Sequence, residues 1–239
     1  MSLILRAAAV TDVGLVRTNN EDSAHAGRRL IAVADGIGGL PAGEFASDIV
    51  MRALAPLEDA PADKDALEQL TAAMYSANRQ IREMTESTSG RDGMGTTVTA
   101  LLLGREDLAL FHVGDSRAYL LRDDELTQVT KDDTFVQSLV DQGLLTRDEA
   151  RRHPQRSLVT QALQGQPFTP TSEVLRPREG DRFMLCSDGL SDYVDDEAIG
   201  RCLSSSTDPQ HSAEALVKLA IDAGAPDNVT VVVADVATG

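Results

Sequence analysis

Two hydrophobic rhythms alternate along the chain. The apolar run at residues 30–34 (LIAVA) reads as a buried strand, and residues 43–54 then place Phe45, Ile49, Val50 and Leu54 on one side of a helix. After the PLEDAPAD linker, residues 64–84 carry Leu67, Leu70, Met74, Ala77, Ile81 and Met84 three and four apart, a long amphipathic helix that the polar stretch 87–93 ends. Four β-rich runs follow at 96–103, 107–113, 116–122 and 126–129, and the short Gly or Asp turns between them predict antiparallel hairpins. Residues 131–170 change character to short helices rich in Asp, Gln and Arg with weak strand signal, and read as an insertion. Strands resume at 171–175 and 182–186, helices at 195–203 and 213–223, and a last strand at 228–236. Strands and helices interleave without strict βαβ alternation, which predicts an α+β fold, a sandwich of antiparallel sheets covered by helices.

Composition narrows the function classes. With 239 residues and a formal charge of −16, the chain has room for one large domain or two small ones and lacks the basic face that a nucleic-acid partner requires. Most of the acid reads as a solvated surface, and part of it as charge awaiting a metal. Cys186 and Cys202 are the only cysteines, too few for a disulfide framework and consistent with a reducing compartment. Arg6 interrupts the N-terminal apolar run, and no apolar segment approaches the roughly 20 residues that span a bilayer. The expectation is a soluble cytoplasmic protein without a membrane partner.

The candidate chemistry lies at four aspartates, Asp35, Asp115, Asp188 and Asp227, in LIAVADGIGG, LALFHVGDSR, RFMLCSDGLSD and APDNVTVVVADV. Each sits where a strand-like run meets a Gly- or Asn-containing turn, so rigid backbone holds the carboxylate while the glycine permits close approach of the chain. A bare Asp-Gly is usually only a turn, but several attached to core-type strands favour a shared metal centre. Hard oxygen donors without clustered His or Cys favour Mg²⁺ or Mn²⁺. The cluster Arg17-Thr18-Asn19-Asn20-Glu21-Asp22 adds a guanidinium able to fork onto phosphate and more carboxylates to position water; alone it would be a polar loop. Metals, water and anion clamp are the parts that phosphate-ester hydrolysis asks for.

Other hydrolytic chemistries fail on the letters. A cysteine phosphatase needs Arg six residues after its Cys, and Asp192 and Asp208 stand there. There is no GxxxxGK[ST] loop and no GxSxG elbow. His25, His112, His153 and His211 show no paired ligand spacing, and His112 reads as structural, with a supporting role behind the acids left open.

From about Val10 to Val236 the chain resembles the metal-dependent Ser/Thr protein phosphatases of type 2C, in particular the short stand-alone bacterial members. The resemblance rests on GLVRTNNEDS, VADGIGGLPAGEFAS, GMGTTVTALLL, HVGDSRAYLLRDDELTQVTKDDTFVQSLVDQG, HPQRSLVTQALQG, LCSDGLSDYV and PDNVTVVV, in the family's order. It implies a single phosphatase domain over residues 1–239, a central β-sandwich flanked by helices on both sides, and a flap at about 131–170. It also implies two Mn²⁺ or Mg²⁺ ions and, in bacterial relatives, a third, weaker one. Asp35 would bridge two ions, the Gly36 carbonyl would bind one, and Asp188 and Asp227 would complete the other. Glu21 and Asp22 would contact metal directly or through water, Arg17 would bind the substrate phosphate, and Asp115 with Asp188 would hold the third ion. Implied partners are phosphorylated proteins, including a eukaryotic-like Ser/Thr kinase and its substrates, met by a monomer.

The chain departs from the family at Ile37, where animal members place a candidate acid histidine, and at Leu40 and Asp133, where bacterial relatives commonly carry His. His153 belongs to the flap pattern HPQR and reads as structural. Two alternative functions remain: a phosphoprotein-binding module that has lost turnover, disfavoured by the intact acids, and a metal-dependent phosphodiesterase, disfavoured by the missing basic groove.

Overall fold

A computed structural model describes residues 2–39, 42–62, 65–87 and 93–239. In chain order its strands are β1 (Leu3–Asp12), β2 (Ser23–Ala26), β3 (Leu30–Ala34), β4 (Gly36–Ile37), β5 (Gly95–Thr96), β6 (Val98–Leu103), β7 (Leu108–Val113), β8 (Arg117–Arg122), β9 (Glu125–Gln128), β10 (Thr171–Leu175), β11 (Arg182–Cys186) and β12 (Val229–Thr238). Its helices are α1 (Ala42–Leu54), α2 (Ala66–Ser87), α3 (Phe135–Asp141), α4 (Arg147–Arg151), α5 (Asp188–Ser191), α6 (Asp196–Ser204) and α7 (Pro209–Asp222). The described residues form two five-stranded antiparallel sheets, ordered β1-β12-β11-β8-β9 and β10-β7-β6-β3-β2. A short β4-β5 pair lies apart.

The two-residue period of the strands sorts their side chains into layers. In β12, Val232, Ala234 and Val236 point between the sheets, whereas Val229, Val231 and Val233 face α6 and α7. Across the sandwich, Ile31, Val33, Leu101 and Leu110 fill the space between sheets, and Leu30, Ala32, Ala100 and Phe111 pack under α1 and α2. Strands covered on both faces therefore read as continuous apolar runs, and the order of layers is α-β-β-α.

The predicted elements occur with small shifts. The second helix begins at Ala66, where the Asp65 carboxylate accepts from Glu68 N; its predicted start at Lys64, and most of the polar break after it, lie outside the described residues. β1 was not predicted. Its alanine-rich sequence has weak strand preference, and its conformation comes from a ten-residue ladder with β12 running from Leu3 opposite Thr238 to Asp12 opposite Val229. Among the described residues no helix is long and apolar enough to cross a membrane.

Candidate active site

Neighbouring strand ends deliver the acids. Asp35 follows β3, Asp115 lies two residues beyond β7, Asp188 opens α5 two residues beyond β11, and Asp227 lies two residues before β12. These four, with Arg17, Glu21, Gly36 and Ile37, line one cleft of about 430 Å³. Its opposite wall is made by residues 157–162 and Gln164, from the segment expected to be the flap. Asp22 lies behind this lining; its Oδ2 accepts from Ser187 Oγ at 2.8 Å, and its Oδ1 is buried without a hydrogen-bond partner.

Glycines allow the close approach that the cleft requires. A Cβ on Gly36 would lie 2.4 Å from the Gly43 carbonyl oxygen and 2.6 Å from that of Glu21, and one on Gly189 would lie 2.0 Å from the Asn228 carbonyl oxygen. Strand ends and helix starts thus meet backbone to backbone around the acids.

Polar side chains fix the loops. Asn228 Oδ1 accepts from Glu21 N at 2.8 Å, its Nδ2 donates to the carbonyls of Val13 and Asn19, and its own N–H donates to Asp227 Oδ1. Behind Asp35, Thr97 Oγ1 accepts from Asp35 N and sits 2.6 Å from Ser116 Oγ. His112, fully buried, contacts Thr99 Oγ1 and donates from Nε2 to the Lys131 carbonyl, which is a structural position. Sequence reasoning missed Thr97, Ser187 and Asn228, although each stands within two residues of an acid or of a motif glycine. It also missed Asp132, forked onto Arg117, and Asp192, paired with Arg156 at 3.0 Å.

Burial, reinforced by mutual repulsion, sets the electrostatics. Burial, then the negative charges of Asp22, Asp188, Asp115 and Asp227, hold the Asp35 carboxyl well above the usual range, and burial with Asp115 and Asp192 does the same to Asp188. Burial raises Asp22 to about 6 and, together with Asp132 and Asp192, raises Asp115 to about 7. Among the described residues Arg17 is the one Lys or Arg lining the cleft, and it donates to Asp227 Oδ2 at 2.8 Å. Buried, mutually repelling, all-oxygen donors and an unpartnered Asp22 oxygen fit hard divalent cations. Among the described residues no three His, Cys, Asp or Glu side chains stand as a closed ligand set.

The departures noted in the sequence have structural readings. Ile37 lines the cleft and offers no proton, and Leu40 lies outside the described residues. Asp133 Oδ2 accepts from Gly114 N at 3.0 Å, whereas His153 accepts from Gln155 N within its own turn and does not line the cleft. Cys186 is a buried core residue and Cys202 is half-buried, and both are free thiols.

Residues 16–220 match the Protein phosphatase 2C family. The chain belongs to that family. This type 2C chain is 54% identical over 236 residues to the serine/threonine protein phosphatase PstP of Mycobacterium tuberculosis, covering 99% of this chain and 46% of that protein. It is 34% identical over 231 residues to the protein phosphatase PhpP of Streptococcus pneumoniae, covering 93% and 94%. The crystal structure of the PstP catalytic domain in complex with two manganese ions superposes with a TM-score of 0.94 at 52% identity, covering 99% of this chain and 100% of that one. The chain therefore spans about half the length of its mycobacterial relative and has the type 2C α+β fold.

Proposed function

We propose that the chain is one phosphatase domain, residues 1–239 with a flap at about 131–170, that hydrolyses phosphoserine and phosphothreonine in proteins. The observation that carries this reading is the convergence of Glu21, Asp35, Asp115, Asp188 and Asp227 with Arg17 on a single cleft. Asp35, Asp188, Asp227 and the Gly36 carbonyl would hold two Mn²⁺ or Mg²⁺ ions, with Asp35 between them; Glu21 and Asp22 would support that pair, and Asp115 with Asp188 would take a weaker third. When bound, two such ions supply a nucleophilic water at neutral pH and offset phosphoryl charge. Arg17 spends one donor on Asp227 and has others free to orient the phosphate. Because Ile37 brings no acid, the proton for the leaving seryl or threonyl oxygen would come from another group at the cleft or from water.

The proposed setting is the cytoplasm, with phosphorylated proteins, including a eukaryotic-like Ser/Thr kinase and its substrates, as partners of a monomeric enzyme that opposes kinase signalling. The 54% identity to the serine/threonine protein phosphatase PstP supports phosphorylated proteins as its substrates. The first test is release of nitrophenol from p-nitrophenyl phosphate. Turnover is expected with Mn²⁺ and none with EDTA; tight retention of a phosphopeptide without any turnover would mark a binding module instead.

A further inference from the structure

The cleft wall opposite the acids is fastened at both ends to the strands that deliver them. At one end, Thr160 donates from both N and Oγ1 to the Asp133 carbonyl, at 2.7 and 2.9 Å. Asp133 in turn exchanges bonds with Gly114, giving its N–H to the Gly114 carbonyl at 2.7 Å and accepting the Gly114 N–H on Oδ2 at 3.0 Å. Gly114 has a φ of +109° and immediately precedes Asp115. The other Asp133 oxygen accepts from Gln161 Nε2 at 3.3 Å, while Gln161 Oε1 accepts from Thr169 N at 2.9 Å, so both ends of that amide are occupied. At the far end, Leu163 and Thr96 exchange N–H···O bonds of 2.9 and 3.1 Å, and Thr96 Oγ1 donates to the Asp35 carbonyl. Between these anchors, Thr160, Gln161 and Ala162 line the cleft.

We infer that Asp133 is a positioning residue for protein substrates: its backbone carbonyl holds Thr160, its carboxylate ties Gln161 to the Gly114–Asp115 turn, and the peptide flanking the phosphorylated residue lies along that wall. The inference rests on the phosphatase reading. A small aryl phosphate reaches Arg17 and the acids without extending along the wall; a peptide cannot. Displacement of the wall therefore costs peptide recognition more than it costs ester chemistry.

The test compares kcat and KM for p-nitrophenyl phosphate and for a phosphothreonine peptide in the wild type, Asp133→Ala, Asp133→Asn and Gln161→Ala, all in saturating Mn²⁺. In Asp133→Ala the ratio of kcat/KM for peptide over aryl ester should fall about tenfold, chiefly through the peptide KM. Asp133→Asn, whose amide oxygen still accepts the Gly114 N–H, should recover to within about threefold of wild type. Gln161→Ala, at the wall itself, should lower the same ratio and keeps the test decisive should Asp133→Ala misfold. A merely structural role would lower both activities together and leave the ratio unchanged in Asp133→Ala and Gln161→Ala, and that result overturns the inference. A wild type that hydrolyses neither substrate overturns the phosphatase reading and the inference with it, whereas a wild type active on both with constant ratios across the variants overturns the inference alone.

Discussion

Arg17 and Asp227 meet at 2.8 Å on the open rim of the cleft, with side chains 48% and 37% exposed, so their pairing contributes little to folding and much to geometry. The Asp227 bond fixes the guanidinium at the mouth of the cleft while donors remain for a phosphate. Arg17→Ala should raise KM for phosphoesters by about tenfold or more with a smaller change in kcat. Calorimetric Mn²⁺ titration of the variant should keep the wild-type stoichiometry; collapse of metal binding would make Arg17 a structural partner of Asp227. The acids were legible in the sequence because each interrupts an apolar run beside a turn. Their hydroxyl and amide supports were not, because Thr97, Ser187 and Asn228 act through bonds to residues as distant as Asp35, Asp22 and Glu21.

At the scale of elements, the first turn of α1 seats directly on the Asp35–Gly36 corner. A Cβ on Gly43 would lie 2.2 Å from Glu21 Oε2 and 2.8 Å from the Gly36 carbonyl carbon. Gly43→Ala should therefore destabilise the fold by about 1–3 kcal/mol in urea titration and weaken Mn²⁺ binding, since Glu21 must move aside. Gly200→Ala on α6 is the control: its Cβ would meet nothing nearer than 3.5 Å, so gained helix propensity should leave stability unchanged or raise it by up to about 1 kcal/mol. Equal losses in the two variants would contradict the close-approach account. Strands β3, β6, β7 and β11 were readable because both their faces are covered, giving unbroken apolar runs. β1 was not, since its partner lies at the other end of the chain. The start of α7 was signalled by Asp208-Pro209, an N-cap followed by proline at the first helical position, which apolar spacing alone placed four residues late. Between residues 131 and 170 the short helices were expected, but the isolated bridges Thr134–Val159 and Thr96–Leu163 join segments with no shared periodicity.

For the whole molecule, the concentration of negative charge makes the metal-free fold pH-sensitive. Asp22 and Asp115 are raised to about 6 and about 7, so each binds its proton more tightly folded than unfolded. Their stabilising contribution is complete below about pH 4, the unfolded carboxyl range, and is lost as pH rises through 6 and 7. His112 works the other way: burial lowers its pKa, so its contribution is present above its unfolded value and lost as pH falls. In EDTA, changing pH from about 5 to about 8 should lower the wild-type Tm more than that of Asp115→Asn, which has no carboxyl there to ionise. Mn²⁺, which competes with protons for the same oxygens, should raise the wild-type Tm more at the higher pH. Identical pH profiles for the two proteins would remove Asp115 from the repelling cluster.

If the convergent acids hold the ions on which turnover depends, Asp35, buried and repelled by four of the others, should be the least replaceable of them. The most direct measurement is phosphate release from a phosphothreonine peptide by wild type and Asp35→Ala across a Mn²⁺ titration, with circular dichroism confirming that both are folded. Wild-type release should rise from background with Mn²⁺ while Asp35→Ala remains at background at saturation. Release by wild type in excess EDTA, or wild-type rates from folded Asp35→Ala, would contradict the account.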